Sequence, residues 1–265
     1  MTLTAPSGTA AGTVTPSPTT PFLSAFAAVF AGQLSRAKVA RASLLFVATL
    51  QSLGILVLVR GVVDTSSEVT KESVVAGSAI LVIAFVALNL LAQRLGMLKA
   101  ARALDYYAAV PVAPSAVVLG IAASYATFTV PGTALTAVVG GLLYGLPIGH
   151  LWVLVVVIPL AGAALAGLGA LIGLLMPRPE LATVAGQLGM TAVLFLGVIP
   201  ADRLPLAVRV VRAAVPSTYA VDALAGSFLN HPDWVWIGWH LAVCAAVAAA
   251  GLAVASMAFR RAVAG

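Results

Sequence analysis

Six apolar runs, at 43–63, 74–92, 116–139, 151–176, 181–199 and 234–259, constrain this chain more than any other feature. Each comes near the ~20 residues a helix needs to cross the hydrocarbon layer. Backbone in lipid must satisfy its own polar groups, so runs of this length form helices, and the alternating pattern of a membrane barrel is absent. Hydrophobic residues make up 62% of the chain and charged residues 8%, against roughly 25% charged in soluble domains. The expected fold is an all-α membrane protein with six transmembrane helices and no separate soluble domain.

Residues 1–21 are Thr, Ser, Ala, Gly and Pro with few apolar side chains and no charge. Such a tail buries too little to offset its ordering entropy, so disorder is expected there. It does not read as a secretory signal, because the basic residues follow the first apolar patch. Residues 22–265 are expected to form one transmembrane domain. It opens with an amphipathic interfacial helix at 22–42, striped by Phe22, Phe26, Val29 and Phe30 and followed by Arg36, Lys38 and Arg41. The single cysteine, Cys244, lies in an apolar run and says nothing about redox compartment.

Placing the N-terminus inside puts nine basic residues on the cytoplasmic side: Arg36, Lys38, Arg41, Arg94, Lys99, Arg102, Arg178, Arg260 and Arg261. Five lie outside: Arg60, Lys71, Arg203, Arg209 and Arg212. The bias favours cytoplasmic termini. The net charge of +6 then reflects loops that meet anionic lipid, not nucleic acid.

Two connections carry more information than the runs they join. Within 93–115, Met97, Ala101, Leu104 and Ala108 share one helical face, with Arg94, Lys99 and Arg102 on the other. Leu95 and Leu98 fall in the polar arc. A surface helix with two exposed leucines ringed by cations would fit a groove on another protein; the alternative is a loop lying on headgroups. Pro111 ends it, and Ser115 is placed to cap the next helix. Within 200–233, Leu204, Val208, Val211 and Val215 repeat at helical spacing, Pro216 breaks that helix, and Ser217 is placed to cap a second one reaching about Leu229. This is an outer helical hairpin before the last run, where Trp234, Trp236 and Trp239 mark the interface.

Residues 94–120, with Pro111-Val112-Ala113-Pro114, resemble the segment between the second and third spans of type-2 ATP-binding-cassette (ABC) exporter permeases. The order Leu196-Gly197-Val198-Ile199-Pro200, Leu204-Pro205, Pro216 and Tyr219-Ala220-Val221-Asp222-Ala223 is similar to that family's C-terminal signature. The resemblance implies a cytoplasmic coupling helix that docks on a separate nucleotide-binding ATPase subunit. Its expected contacts are Arg94, Leu95, Leu98, Lys99 and Arg102. It implies a second permease copy or a related permease, ATP and Mg held by the partner, a bacterial inner membrane, and export of a hydrophobic drug, natural product or lipid-like cargo. Spans one, two and five border the pathway in that family. Their amides Gln51, Asn89 and Gln187 are therefore candidate pathway residues, the alternative being interhelical hydrogen bonds.

The chain itself contains no phosphate-cradling G-x-x-x-x-G-K-[ST] loop, so an ATP-driven motor would be another polypeptide. His150, His231 and His240 lack metal-ligand spacing, and no catalytic site is read from the sequence. No Asp or Glu falls at mid-span, which weighs against a motor-independent carrier; a non-transporting scaffold or immunity protein is a further alternative. Small residues share faces at Gly162, Ala166 and Ala170, at Gly169 and Gly173, and at Ala245, Ala249 and Ala253, which predicts close packing within the protomer. Pro131 and Pro159 should kink their spans.

Overall fold

The computed structural model describes residues 21–35, 38–62, 68–104, 112–198, 212 and 215–264. The tail 1–20 and the first helix of the outer hairpin lie outside the described residues. Helices account for the regular structure: α1 (Phe22–Ser35), α2 (Lys38–Val62), α3 (Glu68–Ala84), a π-helical turn (Phe85–Leu90), α4 (Leu91–Ala100), α5 (Pro114–Tyr144), α6 (Leu154–Leu175, entered through a 3₁₀ turn, Leu151–Val153), α7 (Pro179–Val198), α8 (Pro216–Gly226) and α9 (Trp234–Ala264). Among the described residues there is no strand.

Five helical columns are long and apolar enough to span a bilayer: Lys71–Ala100, Pro114–Tyr144, Leu151–Leu175, Pro179–Gly197 and Trp234–Ala262. The first expected span lies on α2, a helix of 25 residues whose described apolar part includes Leu45–Gly61. The Lys71–Ala100 column is the centre of the bundle, with 83% of its apolar window buried; the last column is peripheral, at 22%. Ala79, Ile80, Val82, Ile83 and Ala84 are fully buried, against neighbours α2, α5, α6, α7 and α8.

The largest correction concerns 93–109. Through Ala100 it is no separate surface helix, but the last turns of the second column. That column has 30 residues, about 45 Å at the helical rise, against ~30 Å of hydrocarbon. The excess falls to the end that carries Gln93, Arg94 and Lys99, residues suited to the interface and beyond it, and that end is still packed on α6 and α7. Leu95 (1% exposed) and Leu98 (9%) face that packing, so the expected exposed leucines are buried; Met97 (46%) is exposed instead. After Ala100 the chain turns through Arg102 at φ 52°. Residues 105–111 lie outside the described residues.

Helix starts also differ from expectation. Ser115 and Ser217 cap nothing: the N-caps are Ala113 and Val215, with Pro114 and Pro216 in the first turn. Proline suits that position because its missing N–H is not needed there. Asp233 does cap, its Oδ1 accepting from the N–H groups of Val235 (3.0 Å) and Trp236 (3.1 Å). α5 runs five residues further than expected and stops at Gly145, whose φ of 68° lets its N–H reach back to Gly141 and Leu142. The expected 22–42 helix is two elements. α1 stacks Phe22, Phe26 and Phe30 at 6.5 and 6.1 Å and packs on α5. Pro131 and Pro159 lie inside α5 and α6.

The small-residue face of the last span is corrected as well. Ala249 and Ala253 are exposed and Ala245 half-buried. α9 instead buries Cys244, Ala248, Ala255 and Phe259, and packs on α6, where Gly251 lies against Gly167. The Gly162, Ala166 and Ala170 face is buried as expected.

Candidate functional site

Among the described residues, polar contacts tie the apolar columns together at both ends, at mid-depth and around α8, and Ser52 Oγ donates to the Ser78 carbonyl between α2 and α3. At one end Lys99, half-buried, donates from Nζ to the carbonyls of Leu174 (2.7 Å) and Met176 (3.3 Å). These are the open carbonyls at the C-terminus of α6, where a cation is favoured by the helix dipole. At the other end Arg60 does the same for α5, donating from Nη1 to the Leu143 carbonyl (2.7 Å). Tyr144 Oη returns a hydrogen bond to the Leu56 carbonyl (2.8 Å). The C-terminal carbonyls of two columns, α5 and α6, are thus each met by a cation from a neighbouring column.

At mid-depth the π-helical turn breaks the regular rise of the second column. Leu91 N–H bonds Val86 O, five residues back, the geometry of a π-bulge. Two glycines from different helices seat against its bulged carbonyls: Gly169 of α6 on Ala87, and Gly186 of α7 on Leu88. Either glycine given a Cβ would overlap the carbonyl oxygen it faces. Beside this seat Asn89 Nδ2 donates to Gln187 Oε1 at 2.6 Å, joining α7 to the second column. Of the three candidate pathway amides, the structure brings these two together. Gln51 is exposed on α2 and, among the described residues, hydrogen-bonds to neither.

The third group anchors α8. Arg212 Nη2 meets Asp222 Oδ1 at 2.5 Å, with side chains 10% and 25% exposed, and Arg212 Nε donates to the Leu196 carbonyl (3.1 Å). Burial pushes the Asp222 carboxyl above its usual range, and Arg212 partly offsets this. Thr218 Oγ1 donates back to the carbonyls of Arg212 (2.9 Å) and Val215 (2.7 Å). Around this end lie aromatic contacts: Trp152 on Trp234 (5.3 Å), His150 edge-on to Trp234 (5.6 Å), and His240 against Trp236 (3.9 Å). These rings sit where an interfacial belt belongs.

A cavity of about 830 Å³ opens between α5 and α6, from Phe26 and Leu119 to Val138 and Leu151. Its lining is apolar apart from Thr127, whose hydroxyl donates to the Ala123 carbonyl. It therefore offers no free polar group to orient a ligand.

Of the expected motor contacts, Arg94 and Lys99 are half-buried, Arg102 is exposed, and Leu95 and Leu98 are buried. Sequence reading missed the two cation clamps and the glycine seats. The i, i+4 pair of Gly169 and Gly173 was the available signal, and Gly186 sits in an unremarkable stretch. Nothing in composition marks a π-bulge.

A column bundle of this kind, clamped at its ends by cations and seated on glycines at its centre, defines a multi-pass helical membrane protein. The chain belongs to the ABC-2 family: the family model described as ABC-2 family transporter protein matches residues 59–257, about three quarters of its length. That family is the permease component of ABC transporters, a transmembrane subunit that generally has no ATPase site of its own and works with an ABC ATPase subunit. No curated protein matches the sequence.

Proposed function

We propose that this chain is the membrane-spanning subunit of an ATP-driven exporter in a bacterial cytoplasmic membrane. Both termini lie inside, and a second copy or a related permease completes the pathway. The cargo is hydrophobic: a drug, a natural product or a lipid-like molecule. ATP and Mg are held by a separate cytosolic ATPase. The observation that carries this reading is the ABC-2 match across 59–257, which includes the projecting end of the second column.

The motor engages the side of that projection that faces away from the bundle. Arg94, Met97 and Arg102 are its contacts; Leu95 and Leu98 support it from within. Asn89, Gln187 and Gln51 supply the polar groups met by cargo. The test is co-expression with the P-loop ATPase encoded nearest to this reading frame. The two should co-purify, and Arg102→Glu should weaken that association while the permease still folds. A permease that purifies alone and fails to stimulate the ATPase in liposomes would refute the reading.

A further inference from the structure

The projecting end of the second column has two distinct sides. Met97, Ala100, Ala101 and Arg102 are exposed. Ala92, Gln93, Gly96 and Lys99 recur at helical spacing and all meet the corner between α6 and α7. A Cβ on Gly173 would stand 2.5 Å from the Ala92 carbonyl oxygen, and one on Gly96 would stand 3.2 Å from Ala182 Cβ and 3.4 Å from Pro179 Cα. Gln93 Nε2 donates to Thr183 Oγ1 (3.4 Å). Lys99 closes the set with its two bonds to Leu174 and Met176. Of these contacts only the Lys99 pair carries a formal charge, and it falls on the last carbonyls before the corner. The glycines remove the side chains that would hold the helices apart, and the ammonium supplies a directed tie. The two column ends and the corner form one mechanical unit.

We infer that Lys99 is a positioning residue, not a motor contact: it fastens the α6–α7 corner to α4, so that a push on the exposed side of α4 is delivered to α6 and α7 together. This rests on the proposed exporter function. It makes both α6 and α7 followers of α4 when the motor pushes, and it assigns Lys99 a role inside the permease.

The test uses the full complex with its ATPase in liposomes, reading permease-stimulated ATP hydrolysis, co-purification and thermal unfolding side by side. Lys99→Met should keep the ATPase bound yet lose about tenfold of the stimulation, the scale expected for one charged hydrogen-bond donor. Lys99→Arg should restore most of it. A second variant pair guards against misfolding: Gly96→Cys with Ala182→Cys sets two Cβ atoms about 3.2 Å apart, close to the ~3.5–4.5 Å of a disulfide, and Cys244 is buried and free. If the corner moves with α4, oxidation to the disulfide leaves stimulation intact. Loss of stimulation on oxidation, recovered on reduction, would show that the surfaces slide and overturn the inference. So would Lys99→Met with full stimulation, or with lost co-purification, which would make it a motor contact. A wild-type permease that neither binds nor stimulates the ATPase would instead bring down the exporter reading itself.

Discussion

Gly169 of α6 lies directly against the carbonyl of Ala87 in the π-helical turn, with no room for a side chain between them. Gly186 of α7 stands in the same relation to Leu88. A bilayer gives no hydrophobic drive for helices to associate, so close backbone approach and the dispersion it allows do most of the holding. Three columns therefore converge on one irregular turn, and the irregularity is what offers carbonyls to the glycines.

Gly169→Ala and Gly186→Ala should each destabilise the protein by about 1–3 kcal/mol, the usual cost of overpacking. The obstructing atoms are backbone and cannot swing aside. Gly238→Ala is the matched control, because nothing lies near its added Cβ, and within a helix alanine should gain about 0.5–1 kcal/mol. Thermal unfolding in detergent reads all three. Equal melting of the Gly169 and Gly238 variants would contradict the packing described.

The hydrogen bond between Asn89 and Gln187 allows a double-mutant cycle with leucine at each position. Interhelical side-chain bonds in membranes are worth about 0.6–2 kcal/mol, and the coupling energy should fall there. Stability and transport need not follow each other. If these amides meet cargo, each single leucine variant should reduce ATP-driven export by more than its stability loss explains, while Gln51→Leu should alter export with little change in unfolding.

Legibility tracked the physics of each feature. Run length and hydropathy located the columns, since the bilayer fixes how much apolar sequence a helix needs. Charge normally marks the interface, so Arg94, Lys99 and Arg102 make 93–115 read as a separate surface helix, although through Ala100 it continues the second column. Yet Lys99 spends its charge on carbonyls of a neighbouring helix, and Leu95 is buried there. Ser115 and Ser217 looked like caps because serine often is one, but an adjacent proline took the first turn in both cases. The seat of Gly169 on Ala87 depends on two helices far apart in sequence, and no local pattern announces it.

Orientation is open to direct measurement. Arg102 and Arg260 lie at one end of the bundle, Gly149 and Asn230 at the other, and all four are exposed. Cys244 is buried, so the native thiol should stay silent. Single cysteines at 149 and 230 should react with a membrane-impermeant maleimide in intact cells, and cysteines at 102 and 260 only after permeabilisation. The reverse pattern would put the projecting end of α4 outside and remove it from any cytosolic motor.

The Arg212–Asp222 pair makes a pH-dependent prediction. Burial raises the Asp222 carboxyl above its reference value of 3.8, with Arg212 and His240 pulling it back. A carboxyl raised on folding binds its proton more tightly in the folded state than in the unfolded state. Its favourable contribution is therefore complete below the unfolded value and is lost as pH rises through the folded one. Relative to Asp222→Asn, the wild type should lose stability from about pH 4 upward until the carboxyl is fully ionised, then run level. Arg212→Ala should cost most at neutral pH, about 2–3 kcal/mol given that both side chains keep some exposure, because it strands a largely buried carboxylate. That deficit should shrink on acidification, since a protonated Asp222 no longer needs a cation. Unfolding of the three proteins across pH 4 to 8 decides it. A constant deficit for Arg212→Ala would mean that the arginine acts mainly through its bond to the Leu196 carbonyl, and that α8 is held by that backbone tie.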